Sequence, residues 1–257
     1  MAGICLITPA CDPKAIMITE ENFLDFKCPY CGEPVSFPES ATGSAQECPN
    51  CMESLIVPEA GGETGEKIPI PITTPRLILR RFAMNDWEQL MKLLADEDFL
   101  QSTDGLAVNE EEQVLRWLES DGTIKLTTPN QMFRLAIELQ DGHQLIGHLG
   151  LWFPKPSQAM LNINLHRNYQ RKGFALEAVK ALLGFCFWGI KLHRVSASCD
   201  SRNTAACRLF ASVGMRREGE FVKSEPAAEG GWANSIWYAI LEEECREDAG
   251  SPEGSST

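Results

Sequence analysis

One stretch limits the folds open to this 257-residue chain more than any other. Residues 159–165 alternate, with Leu161, Ile163 and Leu165 on one face, as a strand does. The pattern breaks at Asn168-Tyr169-Gln170-Arg171-Lys172-Gly173. It resumes as an apolar stripe at helical spacing, through Ala175, Ala178, Val179, Leu182, Leu183 and Cys186, running to about Trp188. A strand that becomes a helix through such a turn aims several unpaired N–H groups at one point. The positive end of the helix dipole lies at the same place. Gly173 lets the backbone approach a bulky anion, and Arg171 and Lys172 add charge. Two readings fit these residues, a pyrophosphate cradle and an ordinary strand–turn–helix junction.

Gln170-Arg171-Lys172-Gly173-Phe174-Ala175 also resembles the Q/R-x-x-G-x-G/A signature of the GNAT acetyltransferases. Other segments resemble that family in the same order. Thr74-Pro75-Arg76-Leu77-Ile78-Leu79-Arg80 is similar to the opening strand of the branch that acetylates ribosomal-protein N-termini. Leu145-Ile146-Gly147-His148-Leu149-Gly150-Leu151 is similar to its central strand. Asn203-Thr204-Ala205-Ala206 and Val213-Gly214-Met215-Arg216-Arg217-Glu218-Gly219 are similar to its later helix and following turn. The resemblance implies an α/β (α+β) fold of GNAT type, a mixed, mostly antiparallel twisted sheet flanked by helices. It implies acetyl-CoA as cosubstrate, with Gln170, Arg171, Lys172, Gly173, Phe174 and Ala175 around the pyrophosphate. Leu165 and His166 would pair in strand fashion with the pantetheine arm, and Asn203 would bond that arm from the facing helix.

A second motif is independent of the first. Cys28-Pro29-Tyr30-Cys31 and Cys48-Pro49-Asn50-Cys51 are separated by sixteen residues, a spacing that can supply four thiolates to one tetrahedral Zn²⁺. Gly32 follows the first knuckle, where a positive φ is useful, and Phe26, Val35, Phe37, Leu55 and Val57 can form short strands around it. So small a segment lacks a core, so the metal would supply much of its folding energy. With all four positions filled by protein, the zinc would be structural. A redox dithiol of the thioredoxin kind is the rival, but that site has a single Cys-x-x-Cys in a βαβ setting.

The remaining cysteines, Cys5, Cys11, Cys186, Cys199, Cys207 and Cys245, are scattered, which suits a reducing cytoplasm. Neither an apolar run long enough to span a membrane nor a secretory leader pattern is present. Net charge is −13, unevenly spread. Residues 1–67 carry three Lys and eleven Asp/Glu, and residues 242–257 carry one Arg and six Asp/Glu; the region between has nineteen of each sign. An acidic N-terminal module opposes binding to a phosphate backbone. The net charge of −13 favours a basic acceptor over a non-basic one.

The chain then divides into a lead-in (1–22), a zinc ribbon (23–58), a Gly/Glu-rich flexible linker (59–71), the acetyltransferase domain (72–244) and a disordered acidic tail (245–257). Within the main domain, Asn85 or Asp86 caps a helix bearing Trp87, and Asn109 caps one bearing Trp117; both tryptophans read as core. Residues 132–139 and 144–153 form a hairpin through Asp141-Gly142. Strands follow at 193–199 and 232–241, with a helix over 203–213 between them.

Acetyl transfer to an amine needs a held cofactor, a neutral amine and a stabilised leaving thiolate. Met160 stands where the branch often has a Glu, and Ala206 where it often has a Ser, so neither handles a proton. His148, expected to titrate near neutrality, and Glu138 are the candidate bases, each with a plain structural reading beside it. Cys199 and Cys207 read as small buried residues. The expectation is an N-acetyltransferase acting directly on a primary amine, a protein or peptide N-terminus by branch resemblance, or a small-molecule amine. The alternative is an acetyl-CoA sensor or adaptor that docks a protein partner through the ribbon.

Overall fold

The structure is a computed structural model that describes residues 22–96, 99, 110–124, 126, 130–227 and 230–247. The expected lead-in before residue 22, the Asn109 cap and the Gly/Ser tail lie outside the described residues. The chain first forms a small module. Strands β1 (Phe23–Lys27) and β2 (Pro34–Pro38) make one hairpin. Strands β3 (Ala45–Glu47), β4 (Ser54–Ile56) and β5 (Glu66–Lys67) make a three-stranded sheet. Phe26, Val35, Leu55 and Val57 bury between them with Cys28 and Cys48.

β5 corrects the linker expectation. The Lys27 N–H donates to the Glu63 carbonyl at 3.0 Å, and the Gly65 N–H donates to the Lys27 carbonyl at 2.9 Å. Gly65 also lies so close to Phe26 that a Cβ would come within 2.9 Å of the ring. The segment from Glu63 to Lys67 is thus tied into the module, through a bridge between Thr64 and Lys27 and then through β5, and main-chain pairing holds it without any apolar period.

The main domain is one eight-stranded sheet. Its strands are β6 (Ile72–Thr73), β7 (Leu77–Arg80), β8 (Met132–Leu139), β9 (Leu145–Lys155), β10 (Gln158–Leu165), β11 (Arg194–Asp200), β12 (Arg216–Pro226) and β13 (Trp232–Leu241). They lie in the order β12-β13-β11-β10-β9-β8-β7-β6. Every neighbouring pair is antiparallel except β10 with β11. Helices α1 (Trp87–Leu94) and α2 (Glu111–Thr123) cover one face; α3 (Phe174–Gly184) and α4 (Thr204–Ser212) belong to the other, and α5 (Glu242–Glu247) closes the described chain.

With helices on both faces, β9 is buried along most of its length. Leu79, Leu135, Ile137, Leu149 and Leu161 meet Ala178, Val179 and Leu182 of α3 on one side. Ala136 and Leu145 meet Leu90, Leu93, Val114 and Leu118 on the other. Each fully buried Leu or Val contributes about 1.5–3 kcal/mol. Trp87 and Trp117 pack against the second cluster, and Phe82 meets Trp117 edge-on at 5.3 Å. Both tryptophans are partly buried against this core rather than exposed in a pocket. Asp86 stands at the N-cap position of α1 without a side-chain bond into that helix; its carboxylate instead accepts the Ala83 N–H at 2.8 Å and closes the 3-10 turn over Met84–Asp86 just before it.

The module is not separate from this core. Ala45 and Ile56 are buried in the α3-side cluster, and Ile68, Ile70 and Ile72 pack against it. The Ser54 hydroxyl donates to the Leu126 carbonyl at 3.5 Å, just beyond α2. Two further elements depart from the sequence reading. β12, expected as a turn over 213–219, is an eleven-residue edge strand, exposed nearly throughout and of mixed charge. α5 extends order through Glu247, where a disordered acidic tail is expected from 245 onward; the Leu241 N–H donates to Glu244 at 2.7 Å.

Candidate active site

β10 and β11 pair only from Gln158↔Arg194 to Met160↔Ser196. Both strands run on beyond that point, so a wedge opens between them. The antiparallel bonding that gives the His166 N–H to the Ile146 carbonyl, at 2.9 Å, turns the main-chain groups of Ile163 and Leu165 towards the wedge. The Leu165 carbonyl is taken by the Gln170 side chain at 2.9 Å, and the His166 carbonyl accepts the Tyr169 N–H at 2.8 Å. Of the main-chain groups here, those of Ile163 and the Leu165 N–H face the wedge, whereas both main-chain groups of His166 are already engaged within the chain.

The wedge leads into the turn. Arg171 (φ 58°) and Gly173 (φ 82°) both lie in the left-handed region, and Gly173 is the N-cap of α3. Left-handed residues within a turn curl successive N–H groups into a concavity for anions. The first main-chain bond of α3 is Glu177 N–H to Gly173 carbonyl at 3.1 Å, so the N–H groups of Phe174, Ala175 and Leu176 precede it. Beside the turn lies a cavity of about 650 Å³, bordered by Ile163, Leu165, Gln170, Gly173 and Ala175. Asn203, Ala206 and Leu209 of the facing helix line it too. Arg167, Arg171 and Arg208 line it, with no carboxylate among the described lining residues, an electrostatic match for a polyanion. Asn203 also caps α4, its Oδ1 accepting the Ala206 N–H at 3.0 Å. Lys172 turns its ammonium over the Tyr169 ring, 5.5 Å from the centroid.

A brace behind the turn escapes sequence reading. Arg76 donates to Glu177 at 2.6 Å and to the Lys172 carbonyl at 3.1 Å, and its guanidinium lies 4.5 Å from the Phe174 centroid. The Thr74 hydroxyl donates to Glu177 at 2.6 Å. Burial alone would raise the Glu177 carboxyl; the bonds from Thr74 and Arg76 outweigh it and hold the group below its usual range. Asp96 braces the other side, pairing with Arg167 and with His166 Nε2 at 3.2 Å.

On the opposite face of β8–β10 the register sets Arg134, His148, Asn162 and Asn164 together. His148 is 4% exposed, with Phe99 edge-on at 5.9 Å. Asn164 Nδ2 lies 3.4 Å from His148 Nε2, which can only accept from it. Burial, assisted by the Arg134 charge, depresses the His148 pKa to about 3. The expectation that it titrates near neutrality is corrected, because a ring sealed from water does not hold a proton. Glu138 is likewise not available as a free base: Arg80 pairs with it at 2.5 Å and His143 Nδ1 at 2.6 Å, and it is 5% exposed. Met160 shares this face, and Ala206 borders the cavity; neither carries a proton.

The four cysteines of the module converge. Their Sγ atoms all lie within 4.8 Å of one another, with Cys28···Cys51 at 3.7 Å and Cys31···Cys48 at 3.9 Å. A metal at about 2.3 Å from each sulfur of a tetrahedron needs sulfurs about 3.8 Å apart, whereas a disulfide needs about 2.05 Å. The donor set therefore fits a tetrahedral thiolate site. The knuckles match: Gly32 N–H donates to the Cys28 carbonyl at 2.9 Å, and Met52 N–H to the Cys48 carbonyl at 2.8 Å. Both Gly32 (φ 76°) and Met52 (φ 62°) take the left-handed conformation that closes such a turn.

Residues 76–216 match the family model described as an acetyltransferase (GNAT) domain. The uncharacterized N-acetyltransferase YnaD of Bacillus subtilis is 31% identical, over 67% of this chain and 98% of the relative. Mycobacterium smegmatis RimJ in complex with CoA-disulfide shares the fold at TM-score 0.58 and 22% identity, over 65% of this chain and 83% of that one. A candidate ribosomal-protein-serine acetyltransferase from Vibrio cholerae does so at TM-score 0.54 and 22% identity, over 68% and 99%. Among the described residues no helix is long and apolar enough to cross a membrane. With the splayed strands, the cradle and the ordered motifs all in place, the chain belongs to the GNAT family and is an N-acetyltransferase that binds acetyl-CoA.

Proposed function

We propose that this enzyme acetylates the α-amine of a protein or peptide N-terminus by direct attack on acetyl-CoA in a ternary complex. The observation that carries this reading is what lines the cavity. Among its described residues there is no cysteine and no carboxylate, and the Ser212 hydroxyl is already donated to the Arg208 carbonyl at 2.7 Å. Among the described lining residues none suits a covalent acetyl intermediate and none is a general base.

The amine must then arrive neutral, which selects among acceptors. At pH 7 an α-amine of pKa near 8 is roughly one-tenth neutral, while a lysine-type amine near 10.4 is neutral in about one molecule in 2,500. The difference, on the order of 250-fold, favours N-termini over polyamine-like and lysine acceptors. The ribosomal-protein-serine description of the Vibrio cholerae neighbour points the same way. In this reading Arg171, Lys172, Gly173, Phe174 and Ala175 hold the pyrophosphate, Gln170 shapes the turn, and Ile163 and Leu165 align the pantetheine. Asn203 faces the arm from α4. His148 acts as a neutral acceptor that orients the Asn164 amide, and Glu138 is structural.

Cys28, Cys31, Cys48 and Cys51 would hold one structural Zn²⁺. The adaptor reading would suit a freely docking module, but Ala45 and Ile56 are buried in the main core. Initial rates measured over a grid of acetyl-CoA and peptide concentrations test the mechanism. Intersecting double-reciprocal lines are expected; parallel lines would mean a covalent intermediate and refute direct transfer.

A further inference from the structure

Two thiols outside both sites stand against each other. Cys199 lies near the end of β11 and Cys207 on α4, with their Sγ atoms 3.7 Å apart. Sequence reading expects small buried residues, yet both are partly exposed and both are free thiols. A disulfide has its sulfurs about 2.05 Å apart, so closure needs an approach of under about 2 Å. The two elements differ in firmness. Cys199 is held by β13 through its pairing with Ile236. Cys207 rides on the helix whose Asn203, Ala206 and Leu209 line the cofactor cavity. Its own N–H donates to the Asn203 carbonyl at 3.1 Å. A bond between the sulfurs would therefore move the cavity wall against a fixed strand.

We propose that Cys199 and Cys207 form a thiol–disulfide modification site, oxidised by small-molecule disulfides such as oxidised glutathione, which ties α4 to β11 and weakens acetyl-CoA binding. The exchange has two steps. Cys207, on the helix, attacks one sulfur of the small disulfide; a mixed disulfide forms and one small thiol leaves, taking a proton. Cys199 then attacks the Cys207 sulfur, and the second small thiol leaves with the other proton. Two protein thiols are oxidised by two electrons and one small disulfide is reduced to two thiols. The order follows from the environments. Burial, then the hydrogen bond shared with Cys207, pushes the Cys199 thiol up to about 12, which makes it the slower first attacker. Cys186 is fully buried and has no sulfur partner of this kind among the described residues.

The test uses the full chain. Acetyl-CoA affinity of the reduced protein is measured first by calorimetry, which checks the cofactor site independently. The protein is then treated with millimolar oxidised glutathione, mapped by mass spectrometry without reduction, and titrated again. A peptide pair linked through Cys199 and Cys207, two hydrogens lighter than its reduced parts, is expected. Kd should rise at least threefold, return on adding a reductant, and stay unchanged by the treatment in Cys207→Ser and Cys199→Ser. Three results would each overturn the proposal: no linked pair, a linked pair with unchanged Kd, or an equal rise in the serine variants, which would place the effect at the zinc-type cysteines.

Discussion

His148 shows how far burial moves a side chain from the behaviour its type suggests. The ring faces Phe99, Asn164 and the Arg134 charge, and its pKa falls to about 3. In the unfolded chain the same ring titrates near 6.5. Between those values the unfolded state binds a proton that the folded state does not. Stability is therefore fully present above about pH 6.5 and declines as pH falls towards 3, by on the order of 1 kcal/mol per pH unit. Urea unfolding followed from pH 8 to pH 4 should show that slope, and His148→Gln should flatten it. An unchanged slope in the variant would mean that the loss comes from other groups. The same residue scale explains why the search for a base by residue type fails. A histidine and a glutamate on the central strands look available in sequence, but only tertiary packing reveals that one is sealed and the other ion-paired.

At the scale of elements, the cradle depends on a contact between residues 101 positions apart. Arg76 holds the Lys172 carbonyl and offsets the Glu177 carboxylate, which sits in the first turn of α3, the helix proposed to face the pyrophosphate. Arg76→Ala loosens the turn and leaves that carboxylate uncompensated, and both effects oppose binding. Its Kd for acetyl-CoA should rise on the order of tenfold, about 1.4 kcal/mol. Adding Glu177→Gln should recover part of the loss; a single variant that binds like the wild type would remove the brace from the account. Elements with a period are legible in sequence. The 159–165 strand, the α3 stripe, the Asp141-Gly142 hairpin and both cysteine knuckles stand where the pattern puts them. β12 is not legible, because an exposed edge strand carries no alternation between core and solvent. β5 is hidden for a related reason: Glu66 and Lys67 pair through the main chain, which composition does not report. The Arg76 brace and the Cys199–Cys207 contact are tertiary, and no local pattern announces them.

For the whole molecule, the shared burial of Ala45 and Ile56 makes the cysteine module part of the enzyme's core. Metal at the four thiolates should thus stabilise more than the module itself. Stripping metal with a strong chelator should lower the temperature of the main unfolding transition by several degrees, on the order of 2 kcal/mol. An unmoved main transition would show that the module folds alone. The central claim is that an amine needs to reach the thioester already neutral, with the enzyme supplying position and no base. Turnover at pH 7 of a peptide with a free α-amine, against the same peptide blocked at its N-terminus and carrying one lysine, tests this most directly. The account predicts at least a hundredfold preference for the free N-terminus, with kcat/KM rising with pH until the α-amine has lost its proton near pH 8. Equal turnover of the two peptides, or a preference for the lysine, would contradict it.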